Sequence, residues 1–140
     1  MNKVCIVYWS GTGNTEAMAG AVLEGVKAAG AEGTLFAASE FDPNTLGAYD
    51  AAAFGCPSMG CEQLEDSEFE PMFSQCESML SGKKIALFGS YGWGDGEWMR
   101  NWKEQCENDG AVLASDPVIC NDAPSDEALA ECRKLGGALA

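Results

Sequence analysis

Short unbroken apolar runs alternate along this chain with longer stretches in which apolar residues recur every three or four positions. A strand buried on both faces reads as a continuous apolar run, and a helix packed over it reads with a helical period, so the alternation specifies an α/β chain. Candidate strands are Lys3 to Tyr8, Gly33 to Ala37, Ala51 to Gly55 and Lys84 to Gly89, with a last one in two pieces around Ala111 to Leu113 and Val118 to Cys120. Joined by right-handed crossovers, these five strands make a doubly wound parallel sheet with helices on both faces.

The helices follow from their stripes and stops. Residues 14 to 29 place Met18, Val22 and Val26 four apart, and Gly30 follows as a C-terminal stop. Phe69, Met72, Phe73, Cys76 and Leu80 form a second stripe closed by Gly82. Trp98 and Trp102 belong to a third helix, closed by Gly110, with Asp95 as the expected N-cap and both indoles packed on the sheet. Ser125 caps the last helix, Asp126 and Glu127 suit its dipole, and Leu129, Cys132, Leu135 and Leu139 face inward. In the crossover Ser39 to Asp50, Pro43 and Gly47 leave room only for a short helix. No linker, repeat or low-complexity tract interrupts the 140 residues, so one domain, 1–140, is expected.

Charge and cysteine usage narrow the function. Twenty-two acidic residues against eight basic ones leave a net charge of −14, which repels nucleic acid and anionic bilayers and attracts a basic protein surface. The early apolar run Val4 to Trp9 is far short of the roughly 20 residues that span a bilayer, and a cytoplasmic protein is expected. Seven cysteines are an odd number, with no C-x-x-C pair, which argues against structural disulfides. Cys56 and Cys61 have the first interval of an iron–sulfur loop, yet Leu64 stands where the next ligand belongs. Cys5, Cys76, Cys106 and Cys132 fall on apolar faces, as small hydrophobes do. The chain has no histidine, and so lacks the usual general base and the commonest transition-metal ligand.

Three loops carry the chemistry. The first strand runs through Ser10-Gly11-Thr12-Gly13-Asn14-Thr15 straight into a helix, aiming backbone N–H groups and the helix dipole at one point. Short donor side chains surround that point without a lysine or arginine, which suits a phosphate monoester. A Walker loop would need Gly-Lys-Ser/Thr, and the dinucleotide fingerprint would need a glycine where Glu16 stands. The third strand ends in Cys56-Pro57-Ser58-Met59-Gly60-Cys61-Glu62 and the fourth in Ser90-Tyr91-Gly92-Trp93-Gly94-Asp95-Gly96, both on the sheet edge where such folds bind ligands. Trp93, flanked by glycines, is suited to lie flat on a planar ligand, and Met59 across the site offers a thioether to the same ring. From the residues alone, Glu62 is either a solvated carboxylate or the acceptor of a ring N–H.

Together, Y-W-S-G-T-G-N-T at 8–15, G-C-P-S-M-G-C-E at 55–62 and G-S-Y-G-W-G-D-G at 89–96 resemble the short-chain flavodoxins of anaerobic bacteria, nearly end to end. The resemblance implies strand order 2-1-3-4-5 with FMN at the switch point. It makes Ser10, Thr12, Asn14 and Thr15, with Gly11 and Gly13 backbone, the phosphate cradle. It sets Met59 and Trp93 on opposite ring faces, Glu62 on the flavin N3–H and Gly89 near the pyrimidine edge, with Ser58, Ser90, Tyr91 and Gly92 among the cofactor contacts. The peptide between Gly60 and Cys61 then turns over on reduction, and its carbonyl accepts from flavin N5–H in the neutral semiquinone.

Two positions depart from the family pattern. Pro57 stands where some relatives have a phosphate-binding serine, so that contact is either missing or comes from Ser58, and Cys61 follows the turning glycine where aspartate or serine occurs. The implied function is a low-potential one-electron carrier cycling between semiquinone and hydroquinone. Its partners are larger redox enzymes with basic docking faces, such as ferredoxin-linked oxidoreductases, and its default state is a monomer. An FMN-dependent NAD(P)H quinone or nitro reductase and a phosphate- or mononucleotide-binding module are the competing readings. The former lacks an insertion to roof a substrate pocket.

Overall fold

In the computed structural model, which describes residues 2–140, the chain runs β1 (Lys3–Tyr8), α1 (Asn14–Ala28), β2 (Glu32–Ala37), β3 (Ala51–Gly55), α2 (Phe69–Cys76), β4 (Lys84–Tyr91), α3 (Glu97–Asn108), β5 (Val112–Leu113), β6 (Val118–Asn121) and α4 (Asp126–Leu139). All the pairings are parallel, in the order β2-β1-β3-β4-β5. The outer edge of β4 is shared. β5 pairs with Lys84 and Ile85, while β6 pairs with Phe88 through Tyr91, so the two pieces together fill the fifth position.

Alternation along β1 feeds two cores. Val4 and Ile6 pack on one face with Met18, Val22, Cys132 and Leu135 of α1 and α4. Cys5 and Val7 pack on the other with Phe69, Phe73, Trp98 and Trp102 of α2 and α3. The two indoles are 2% and 1% exposed, and Trp102 meets Phe69 and Phe73 edge-on at 5.4 and 5.5 Å. Cys5, Cys76, Cys106 and Cys132 are buried, and burial pushes each thiol up to about 12. Helices α1 and α4 touch backbone to backbone at Gly25 and Gly136, where a Cβ would fall within 1.9 Å of the Arg133 carbonyl oxygen and 2.0 Å of that of Val22.

Several local features differ from the sequence-based expectation. The crossover after β2 holds two short 3-10 segments, Ala38–Glu40 and Pro43–Ala48, because Asp42 accepts from Asn44 N at 3.0 Å and starts a tight turn at Pro43. Asp95 does not cap α3: Gly96 is the N-cap, and the Asp95 carboxylate pairs with Arg100 at 3.0 Å. Glu65, which no motif in the sequence singles out, is a buried carboxylate, 6% exposed.

Candidate functional site

The first strand delivers the phosphate-type loop. Ser10 Oγ accepts from Gly13 N at 3.0 Å and from Glu16 N at 3.3 Å, which ties the loop to the first turn of α1. Gly13 makes the turn with φ 95°, a left-handed conformation that glycine adopts without strain. Among the described residues, the N–H groups of Gly11, Thr12, Asn14 and Thr15 have no acceptor, as expected at a helix N-terminus. Thr15 is buried, with its hydroxyl 3.3 Å from Ser90 Oγ at the end of β4.

The second loop is held from both sides. Cys56 N donates to Phe88 O at 3.1 Å and Ser58 N to Ser90 O at 3.0 Å, so β3 and β4 stay paired up to the cleft. Beyond them a tight turn is closed by reciprocal backbone bonds of 2.8 Å between Met59 and Gln63. Gly60 and Cys61 form its exposed tip, and Gly60 has φ 53° with no atom within 4 Å of the place a Cβ would take. Glu65 anchors the far end. Its carboxylate accepts from Glu68 N and Phe69 N, both at 2.8 Å, from Ser67 N at 2.9 Å and from the Ser67 hydroxyl, capping α2. Burial alone would raise its pKa, yet these hydrogen bonds outweigh burial and hold it below the ordinary value.

The three loops enclose a cleft of about 360 Å³ at the carboxyl ends of β1, β3 and β4, within the roughly 300 to 1,000 Å³ of small-molecule sites. Gly11, Thr12, Asn14, Ser58, Met59, Ser90, Tyr91, Gly92 and Trp93 line it. Trp93 is 64% exposed and Met59 36%, which leaves two soft, apolar side chains standing in solvent beside a polar cradle. Ser58 Oγ is buried without a partner among the described residues, so it is a donor that a bound polar group would satisfy. The unpartnered N–H groups of one loop and this orphaned hydroxyl of the next fit a phosphate monoester, and the exposed Trp93 and Met59 fit a flat ring.

Some expected site residues lie elsewhere. Ser10, Gly13 and Thr15 support the cradle from behind, while Glu62 turns toward α3, where its Oε1 accepts from Glu97 N at 3.1 Å. Gly89 is buried inside β4, where a Cβ would sit 2.2 Å from the Cys56 carbonyl oxygen, so its smallness lets β3 and β4 close up. Gly92 takes the cleft wall instead.

Trp9, Pro57 and Asp122 also line the cleft. Trp9 Nε1 donates to Glu68 Oε1 at 2.9 Å, which holds the indole between the first loop and α2. Asp122, with φ 55°, is tied to the Tyr91 carbonyl at 2.8 Å. Its place past the split fifth strand gave no local signal, whereas Trp9 adjoins the loop in sequence and was open to notice.

Comparison with known proteins agrees with this geometry. The family model described as Flavodoxin matches residues 6–136. The chain is 47% identical to a flavodoxin of Megasphaera elsdenii, covering 96% of each, and 44% identical to one of Clostridium beijerinckii, covering 96% of this chain and 97% of that protein. Its fold superposes on the solution structure of the two-electron reduced Megasphaera elsdenii flavodoxin with a TM-score of 0.89, at 49% identity and 96% coverage of both chains. With the match running through all three cleft loops, the chain belongs to the flavodoxin family, whose members bind FMN and carry electrons rather than act as enzymes.

Proposed function

We propose that residues 1–140 form one FMN-binding domain that works as a low-potential one-electron carrier, cycling between semiquinone and hydroquinone, in the cytoplasm. The observation that carries this reading is the cleft, a cation-free anion cradle continuous with an exposed Trp93 and Met59. In it, Thr12 and Asn14, with the unpartnered N–H groups of Gly11, Thr12, Asn14 and Thr15, hold the phosphate in a cradle that Ser10, Gly13 and the Thr15 hydroxyl brace from behind, and Ser58 Oγ supplies the contact that Pro57 cannot. Met59 and Trp93 flank the ring, with Ser90, Tyr91 and Gly92 along its edge. Glu62 is assigned to the ring N3–H and the peptide after Gly60 to N5. The open space around Gly60 supports a peptide free to turn.

FMN supplies the one-electron chemistry when bound, and the protein groups bind, orient and shield it. A second added electron places one more negative charge in a protein of net charge −14. About 1 to 3 kcal/mol of repulsion lowers that potential by about 40 to 130 mV. All seven thiols are unpaired, as a reducing compartment keeps them, which supports the cytoplasmic assignment.

Partners are larger redox enzymes, of the ferredoxin-linked kind, that present basic faces to the cleft. Asp95, Glu97 and Asp122 are exposed around it, and Trp93 stands at its mouth. Potentiometric titration under anaerobic conditions tests this function. The expected result is two separated one-electron potentials, the second below that of free FMN and rising as salt screens the field. A second potential at or above that of free FMN contradicts it.

A further inference from the structure

We propose that Glu62 is a positioning residue that clasps the two loops flanking the ring site and sets the Trp93 loop in place before any cofactor enters. Helix α3 starts at Glu97 behind Gly96, an N-cap with no side chain to satisfy the first N–H groups. The carboxylate of Asp95, the neighbouring residue, accepts from the Arg100 guanidinium at 3.0 Å, and the Asp95 backbone carbonyl accepts from the same group at 3.0 Å. The missing cap comes from 35 residues earlier in the chain, where Glu62 Oε1 accepts from Glu97 N at 3.1 Å. A carboxylate there also meets the positive end of the α3 dipole.

Two backbone features make room for it. Glu62 has φ 51°, left-handed for a non-glycine residue, and it keeps that conformation inside the turn closed by Met59 and Gln63. On the other side Gly94 has φ 84°, and a Cβ on it would stand 2.4 Å from Glu62 Oε1. The glycine after Trp93 is thus the space in which the carboxylate sits. Beyond the Ser58–Ser90 backbone bond at their base, the turn bearing Met59, Gly60 and Cys61 and the loop bearing Trp93 are joined by this side chain. Oε2 has no partner among the described residues, so one oxygen holds the protein together while the other is left for a ring donor. That last role rests on the FMN reading, and the clasp itself does not.

The test uses apoprotein and holoprotein of wild type, Glu62→Gln, Glu62→Ala and Gly94→Ala. Amide exchange at Glu97 in the apoprotein reads the clasp alone. It should speed up by about fivefold or more in Glu62→Ala and in Gly94→Ala, and stay close to wild type in Glu62→Gln, which keeps the acceptor oxygen. The Trp93 indole signal should become more mobile in the same two variants, and FMN should associate with them several-fold more slowly.

Unchanged Glu97 exchange in Glu62→Ala apoprotein overturns the clasp. Faster exchange with wild-type mobility of Trp93 and wild-type FMN association overturns the positioning role and leaves a plain helix cap. Failure of wild-type apoprotein to bind FMN would sink the carrier reading, while Glu97 exchange and Trp93 mobility still decide the clasp.

Discussion

At the scale of single residues, the carboxylates divide by what donates to them. Glu65 is buried under four donors and is therefore ionised in the fold below the pH at which an ordinary glutamate takes up its proton. A depressed carboxyl pKa adds stability above its unfolded value and loses it as pH falls through the folded one. Glu65→Gln should destabilise the protein by about 1 to 3 kcal/mol at neutral pH and lessen the loss of stability between neutral pH and the acid limb of the denaturation curve. Urea unfolding at a series of pH values measures both. Nothing in the local sequence marks this glutamate among its acidic neighbours, because what distinguishes it is the start of α2 folding back over it. For the same reason Asp95 looks like the natural cap of α3 until Arg100 takes it and Glu62 replaces it from another loop. Residue roles that depend on the next few positions, such as Ser125 accepting from Ala128 N at 3.1 Å, were open to reading in advance.

Among the elements, those with strong periodic burial were legible and those defined by one tight contact were not. The stripes of α1, α2, α3 and α4 and the runs of β1, β3 and β4 follow from the rule that apolar surface must meet the sheet. The 3-10 segments before β3 carry no stripe, and only the turn at Asp42 and Pro43 decides them. Periodicity is equally silent about how near two helices come. α1 and α4 pack through glycines whose backbones leave no space for a methyl group. Gly136→Ala, with its Cβ 2.0 Å from the Val22 carbonyl oxygen, should cost about 1 to 3 kcal/mol. The denaturation midpoint should fall while FMN affinity is nearly kept, since the cleft lies at the strand ends and this contact lies on a helix–helix face. An unchanged midpoint would mean that the two helices separate at little cost.

For the whole molecule, fold and charge act together. The doubly wound sheet brings three glycine-rich loops to one edge, which is why the cleft was legible from motif order once the strands were placed. Its outline was less so, because Asp122 enters from beyond β6 and Glu62 leaves to join α3. The whole chain carries a net charge of −14, a field that under the proposed carrier function would oppose further negative charge on the ring and favour a basic partner. Stepwise anaerobic reduction of the FMN-loaded protein, followed by its visible spectrum, tests the central claim most directly. The account predicts that the yellow oxidised bands give way to the long-wavelength absorbance of a neutral blue semiquinone, which then fades as the second electron is added. Direct bleaching from oxidised to fully reduced flavin, with no intermediate colour, would contradict a one-electron carrier built around the turn at Gly60.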